Sequence, residues 1–268
     1  MQKREFERNL EAVIQAVSGV EGYLTNREIR CLVLLASIPS AKGVVLEIGS
    51  FKGRSTIVLA KAALLAGESK IVAVDPLNSS AKTDPSLGGK PSAQSDFETN
   101  LKNVGLEHAV EFYLERSSDL ARKWDSARKI RLLWIDGDHT YGGAKADFDF
   151  FRPFLADRAI VAMHDVLHSY DGPARVFAED MLLSPHFGPA GFSGSIGWSQ
   201  FFESPTASLP FHPQKLRLYG RLSKLISLTA FGEDLRGLRR TRYNLARNRI
   251  PHGDMRPDQF KRQIAFVN

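Results

Sequence analysis

The sequence predicts an α/β protein: a doubly wound, mostly parallel sheet with helices on both faces, preceded by N-terminal helices and followed by a basic, helical C-terminal extension. Three observations predict it. Short continuous apolar runs such as "VVLEI", "IVAV", "RLLWI" and "IVAM" read as strands buried on both faces. They alternate strictly with segments of helical periodicity, as parallel strands joined by crossover helices must. A Gly-x-x-x-Gly turn, Gly49 to Gly53, joins the first strand to its helix, at the place where such sheets open a ligand crevice.

Residues 3–20 place Phe6, Leu10, Val13, Ile14 and Val17 on one helical face. Thr25 and Glu28 form a capping box for a second helix, "REIRCLVLLASI", which Pro39 closes. "GVVLEIG" is a strand, "STIVLAKAALLAG" a helix ending at Gly67, and "KIVAVDPL" a strand stopped by Pro76. Residues 78–95 are rich in Ser, Gly, Lys and Pro and read as a long loop, hence a lid or binding loop. Helices follow at "SDFETNLKNVG", "SSDLARKW", "GGAKADFDFFRPFL" and "GPARVFAEDMLL"; strands follow at "AVEFYLE", "IRLLWIDG", "RAIVAMHD" and "GSIGWSQFFE". The organisation expected is a helical segment at 1–40, a ligand-binding α/β domain at 41–206 and an extension at 207–268.

The turn after the first strand carries the most specific signal. Its glycines lack the Gly-x-Gly-x-x-Gly spacing of dinucleotide sites and the Gly-Lys-Ser/Thr of a P-loop. An acid, Glu47, stands where phosphate would be repelled and an ammonium group could be held, so the ligand implied is cationic or zwitterionic. Together with Asp75 at the end of the second strand, "RSSDLA" after the third, and "IDGDHTY" and "HD" after the fourth and fifth, this pattern resembles the class I S-adenosylmethionine-dependent methyltransferases. It is similar in particular to bacterial small-molecule O-methyltransferases, distant relatives of catechol-type enzymes that use a divalent metal. The resemblance spans roughly residues 25–202 and implies a Rossmann-like methyltransferase fold. It also implies an S-adenosyl-L-methionine site made by Glu47, Gly49, Ser50, Gly53, Ser55, Asp75, Ser117 and Asp136. Each residue has a plainer reading beside it: the glycines as a tight turn, Asp75 before Pro76 as a turn residue, and Ser117 and Ser118 as a helix N-cap.

The titratable residues concentrate at the ends of the fourth and fifth strands, where Asp136, Asp138, His139, His164 and Asp165 should emerge beside the turn. Methyl transfer from a sulfonium is an in-line displacement that needs an aligned oxygen nucleophile and removal of its proton. Two mechanisms fit. Asp136 and Asp165, with His164 or His139 completing the shell, could hold Mg²⁺ or another divalent cation that lowers the pKa of a substrate diol. Alternatively His139 is a metal-free general base. The metal-using relatives carry an acid with Asp-Asn or Glu-Asp where this chain has His164-Asp165, a departure that favours a softer metal or none. The catalytic residues expected are therefore His139, Asp136 and His164. Tyr141, His168 and Tyr170 lie where an acceptor pocket could be lined, with packing an equal reading for Tyr141. Trp124, Trp134 and Trp198 are core or wall residues.

Composition narrows the remaining classes. An apolar share of 43% supports a packed core, no apolar run approaches the ~20 residues of a membrane span, and the N-terminus has no secretion signal, so a cytoplasmic location is expected. One cysteine, Cys31, excludes an internal disulfide and a cysteine-based zinc cluster. The net charge of +6 belongs to the tail: from Ala207 onward there are 13 Lys/Arg against 4 Asp/Glu. The function expected is O-methylation of a small hydroxylated molecule, such as a sugar or a phenolic natural product. Two alternatives remain: methylation or binding of nucleic acid through the tail, and a non-catalytic, membrane-associated cofactor-binding scaffold. Nucleic acid is disfavoured because the Asn/Asp-Pro-Pro-Tyr/Phe motif is missing and the tail offers no dense aromatic platform. Peripheral membrane contact and a homodimer are the further partners left open.

Overall fold

Five of the apolar runs pair side by side as parallel strands: β1 (Val44–Ile48), β2 (Ile71–Val74), β3 (Val110–Tyr113), β4 (Ile130–Ile135) and β5 (Leu155–Met163). An antiparallel pair, β6 (Phe187–Ser193) and β7 (Ile196–Phe201), completes a seven-stranded sheet of order β3-β2-β1-β4-β5-β7-β6. The computed structural model describes residues 3–78, 92–229 and 235–266. The chain order reverses between β1 and β4, so a crevice opens beyond their carboxyl ends. Register sharpens this: Ile48 pairs with both Val74 and Ile135, and Ile135 pairs with Met163. The strands end level, and Gly49, Asp75, Asp136 and His164 all emerge at one edge.

Side-chain alternation along the strands divides the core into two layers. Val45, Leu132 and Trp134 face the layer that takes α1 (Lys3–Ala16), α2 (Asn26–Ser37) and α3 (Arg54–Leu65), together with Phe97 and Leu101 of α4 (Gln94–Asn103). Leu46, Leu133 and Ile135 face the layer that takes α5 (Ser117–Arg122), α6 (Tyr141–Phe151) and α7 (Asp171–Val176). As the periodicity predicts, Phe6, Leu10 and Val13 form the buried stripe of α1. The capping box of α2 is present, with the Thr25 side chain accepting from Glu28 N and the Glu28 carboxylate accepting from Thr25 N. Trp124, Trp134, Trp198 and Cys31 are core residues, and burial raises the thiol pKa of Cys31.

Strand β6 is the element that sequence reasoning missed. "FGPAGFS" reads as a connection because of Gly188, Pro189 and Gly191, yet both glycines are there for packing. A Cβ at Gly188 would overlap the Phe202 ring, and one at Gly191 would lie 2.9 Å from the Trp198 indole. Pro189 falls where the register shifts on this edge strand, the position a sheet tolerates. Beyond Val176 the α7 helix continues to Leu182 with wider turns. The long-loop expectation for 78–95 falls mostly on residues 79–91, outside the described residues.

After Ser204 the described residues form the helices α8 (Pro205–Ser208), α9 (His212–Thr229), α10 (Gly237–Asn248) and α11 (Pro257–Gln263). These helices are joined to the sheet rather than hanging from it. Leu218, Leu222 and Leu225 of α9 and Tyr243 of α10 enter the second layer. Lys215 is fully buried, its ammonium donating to the carbonyls of Ser184 and Phe187, and burial pushes its pKa down to about 8. Phe260 of α11 meets the Trp198 ring edge-on, centroids 5.5 Å apart. The buried Gln200 side chain exchanges two hydrogen bonds with the Ala265 backbone, donating to its carbonyl at 2.7 Å and accepting from its amide at 2.9 Å. No helix among the described residues is long and apolar enough to cross a membrane.

Candidate active site

The glycine turn is shaped by contacts that no side chain could share. Gly49 and Gly53 both sit in the left-handed region, at φ 86° and 87°. A Cβ on Gly49 would overlap the carbonyl of Asp136, so its absence lets the turn after β1 touch the end of β4. Between them Phe51 also adopts φ 48°, rare for a bulky residue, with its ring stacked on Tyr23 at 6.4 Å.

Two carboxylates hold this turn. Asp75 Oδ2 accepts from the amides of Ser50 (2.6 Å) and Phe51 (2.9 Å), and Oδ1 accepts from Leu77 N at 2.7 Å. Three of its roughly four acceptor positions are thus taken by backbone, and the acid joins β2 to the turn. Glu47 is fully buried, and its Oε2 accepts from the hydroxyls of Ser50 (3.0 Å) and Thr56 (2.5 Å). Burial pushes its pKa up to about 7 against the hydroxyls of Ser55, Thr56 and Ser50, which favour the charged form. This changes the sequence expectation for Glu47, Ser50 and Ser55: the acid satisfies the turn's own hydroxyls, because it points into the base of the helix. Its Oε1 is buried with no hydrogen-bond partner, the one atom still able to serve a donor.

Ser117 opens α5, but the N-cap is Arg116. The Ser117 hydroxyl instead donates to Asp147 Oδ1 on α6 at 2.5 Å. Asp147 was not anticipated. It shares the buried face of α6 with Ala144, Phe148 and Phe151, an acid in an apolar stripe, and that break in the pattern was the available signal. Burial pushes its pKa up to about 6, with the hydroxyl of Ser117 opposing and Asp138 adding to the rise. Asp138 itself accepts from Thr140 N at 2.7 Å and shapes the turn into α6.

The remaining predicted residues converge. His164 is nearly buried, with Nδ1 3.1 Å from Asp136 Oδ1 and 3.5 Å from Asp165 Oδ1. Behind it stands Glu28, whose Oε1 is 3.9 Å from His164 Nε2 and accepts from Ser195 N and Oγ. Burial opposes the imidazolium, yet Asp136, Glu28 and Asp165 hold the His164 pKa well above its ordinary value. His139 has Nε2 3.0 Å from Asp165 Oδ2 and 3.9 Å from Asp136 Oδ1. Burial lowers its pKa, but Asp165 and Asp136 raise it more, and the net shift is upward. Its side chain remains 36% exposed, against 6% for His164. Tyr170 meets the His139 ring at a tilt, centroids 4.6 Å apart, and stacks on His168 at 5.1 Å, forming an aromatic wall. Tyr141 packs instead: Arg175 lies over its ring at 3.9 Å and its hydroxyl donates to Glu179.

The turn fits an S-adenosylmethionine-like ligand on two counts: an orphaned buried oxygen on Glu47 and carboxylates at the ends of β2 and β4. The donor set does not fit a divalent metal equally well. Asp136 and Asp165 are directed at imidazole nitrogens, and among the described residues no group of three or more His, Cys, Asp or Glu has metal-holding geometry.

Residues 46–166 match the profile of a family described as a methyltransferase domain. Among solved structures, the chain is similar to the O-methyltransferase from Bacillus cereus in complex with SAH, at 20% identity and TM-score 0.52, covering 72% of this chain and 90% of that one. It is similar to the O-methyltransferase TomG from Streptomyces achromogenes in complex with SAM, at 18% identity and TM-score 0.52, covering 72% and 89%. The O-methyltransferase NovP matches at 12% identity and TM-score 0.57, covering 74% of this chain and all of that one. At these identities the likeness is one of fold. Strand order and strand-end acids agree with this match over residues 46–166, and the sheet has the Rossmann-like fold of the class I methyltransferases.

Proposed function

We propose that this protein transfers the methyl group of S-adenosyl-L-methionine to a hydroxyl oxygen of a small molecule, with His139 as the general base. The observation that carries this reading is the His139–Asp165 pair, 3.0 Å apart, with a part-exposed imidazole on a largely buried carboxylate, at the same sheet edge as the glycine turn. The sulfonium compound supplies the electrophilic methyl group. Around it, Gly49 and Gly53 allow the left-handed turn that brings β1 against the end of β4, Asp75 retains one acceptor position for a ribose hydroxyl, and Glu47 Oε1 offers a place for an ammonium group. Ser117 with Asp147 closes the adenine side. The acceptor hydroxyl approaches past Tyr170; neutral His139 takes its proton, and Asp165 stabilises the imidazolium that forms. Asp136 and His164 fix the wall from which His139 projects. No step is assigned to a divalent metal.

The test is calorimetry with S-adenosylhomocysteine, followed by turnover of S-adenosylmethionine against a panel of phenols, catechols and sugars, with and without chelator. Binding at micromolar concentration and chelator-insensitive methylation lost in His139→Ala support the reading. No heat with the cofactor product would overturn the site. Turnover that stops in chelator and returns with Mg²⁺ would replace the histidine base by a metal.

A further inference from the structure

The pair of helices α9 and α10 carries eight Lys/Arg and not one Asp or Glu. Tyr243 is the residue of α10 turned fully inward, its hydroxyl donating to Leu167 O at 2.8 Å. At 100° per residue, Leu238 and Leu245 fall on the opposite side of the helix, and they are 79% and 57% exposed. Arg242 and Arg249 flank them. On α9 the buried stripe Leu218, Leu222 and Leu225 turns Leu216 outward, 57% exposed, with Arg217, Arg221 and Lys224 along one flank. None of these five cations makes an ion pair with a described residue.

We propose that the outward face of α9 and α10 docks on an anionic phospholipid surface. Cations with no ion pair among the described residues supply attraction to lipid headgroups, and exposed leucines beside them supply apolar insertion, the combination an interfacial helix uses. A nucleic-acid groove would instead interleave aromatics as stacking platforms, and the two tyrosines of these helices, Tyr219 and Tyr243, are not exposed. Docking has a consequence for the site. Arg247 Nε, like the Tyr243 hydroxyl, donates to the carbonyl of Leu167, two residues beyond Asp165. The helix that meets the bilayer is therefore fixed to the segment that carries the reaction edge, and acceptors would be drawn from the membrane surface. The proposal does not depend on which atom is methylated.

The experiment is co-sedimentation of the full chain with phosphatidylcholine vesicles containing or lacking phosphatidylglycerol, at low and high salt. Binding only to the anionic vesicles is expected. It should fall at least about tenfold in Arg242→Glu/Arg249→Glu, and also in Leu238→Asn/Leu245→Asn, whose side chains are exposed and whose melting temperature should match the parent. Equal sedimentation with neutral vesicles, or no sedimentation with either, overturns the proposal. So does duplex DNA or RNA binding that is unaffected by the leucine substitutions and outcompetes the vesicles.

Discussion

Glu28 and His164 form a buried pair, Oε1 to Nε2 3.9 Å, that connects the first turn of α2 to the reaction edge. The same carboxylate caps its own helix through Thr25 and holds the β6–β7 turn through Ser195. Its pKa is held well below the ordinary carboxylate range: burial opposes this, but His164, Thr25 and Ser195 together outweigh it. Glu28→Gln should therefore leave part of this network unsatisfied, costing about 2–4 kcal/mol. Urea unfolding together with kcat would show both losses; a variant as stable and as active as the parent would remove Glu28 from the site.

As the proposed base, His139 must be neutral to accept a proton, and Asp165 and Asp136 raise its pKa above the ordinary 6.5. Methyl transfer should therefore increase with pH through an inflection above 6.5. In Asp165→Asn the inflection should move to lower pH while the plateau falls. His139→Ala should reduce kcat by about 10²–10⁴ with cofactor affinity retained. A pH profile that Asp165→Asn leaves in place would assign the base elsewhere.

Glu47 has a folded-state pKa of about 7 against 4.5 ordinarily. The folded protein then holds this proton more tightly than the unfolded chain, so stability declines as pH rises from about 4.5 to about 7. The decline is at most about 3 kcal/mol. Asp147 adds a smaller effect of the same sign. Melting temperatures of Glu47→Gln should fall less between pH 5 and pH 8 than those of the parent; identical slopes would refute the buried-acid account.

For cofactor binding, Asp75 is a cleaner target than the glycines. A side chain at Gly49 would push against the Asp136 backbone at positive φ and disturb the fold itself. Asp75→Ala releases the Ser50 and Phe51 amides and should weaken S-adenosylhomocysteine binding at least about tenfold, since charge-assisted hydrogen bonds contribute roughly 1.5–3 kcal/mol each. Titration calorimetry reads this directly.

The parallel strands and the edge where the chemistry gathers were legible because each depends on local pattern: apolar runs, a Gly-x-x-x-Gly turn, acids at strand ends. Glu28 was legible as a capping residue but not as a partner of His164, since a capping box says nothing of what lies beyond the helix. The role of Glu47 was half legible. Its position was evident, but whether it faced a ligand or the hydroxyls of Ser50 and Thr56 depended on the direction of the turn. Strand β6 was hidden because Gly188 and Gly191 read as loop residues until Phe202 and Trp198 lie over them.

The bonds between Gln200 and the backbone of Ala265, with Phe260 set against Trp198, make residues 257–266 a clasp over the antiparallel side of the sheet. A nascent chain halted before Pro257 would leave an indole and an unmet amide open to water, and so would be prone to self-association. The sheet therefore reaches its mature form only after this late-synthesised segment has returned to strands laid down some sixty residues earlier, a long-range closure that would slow the final folding phase.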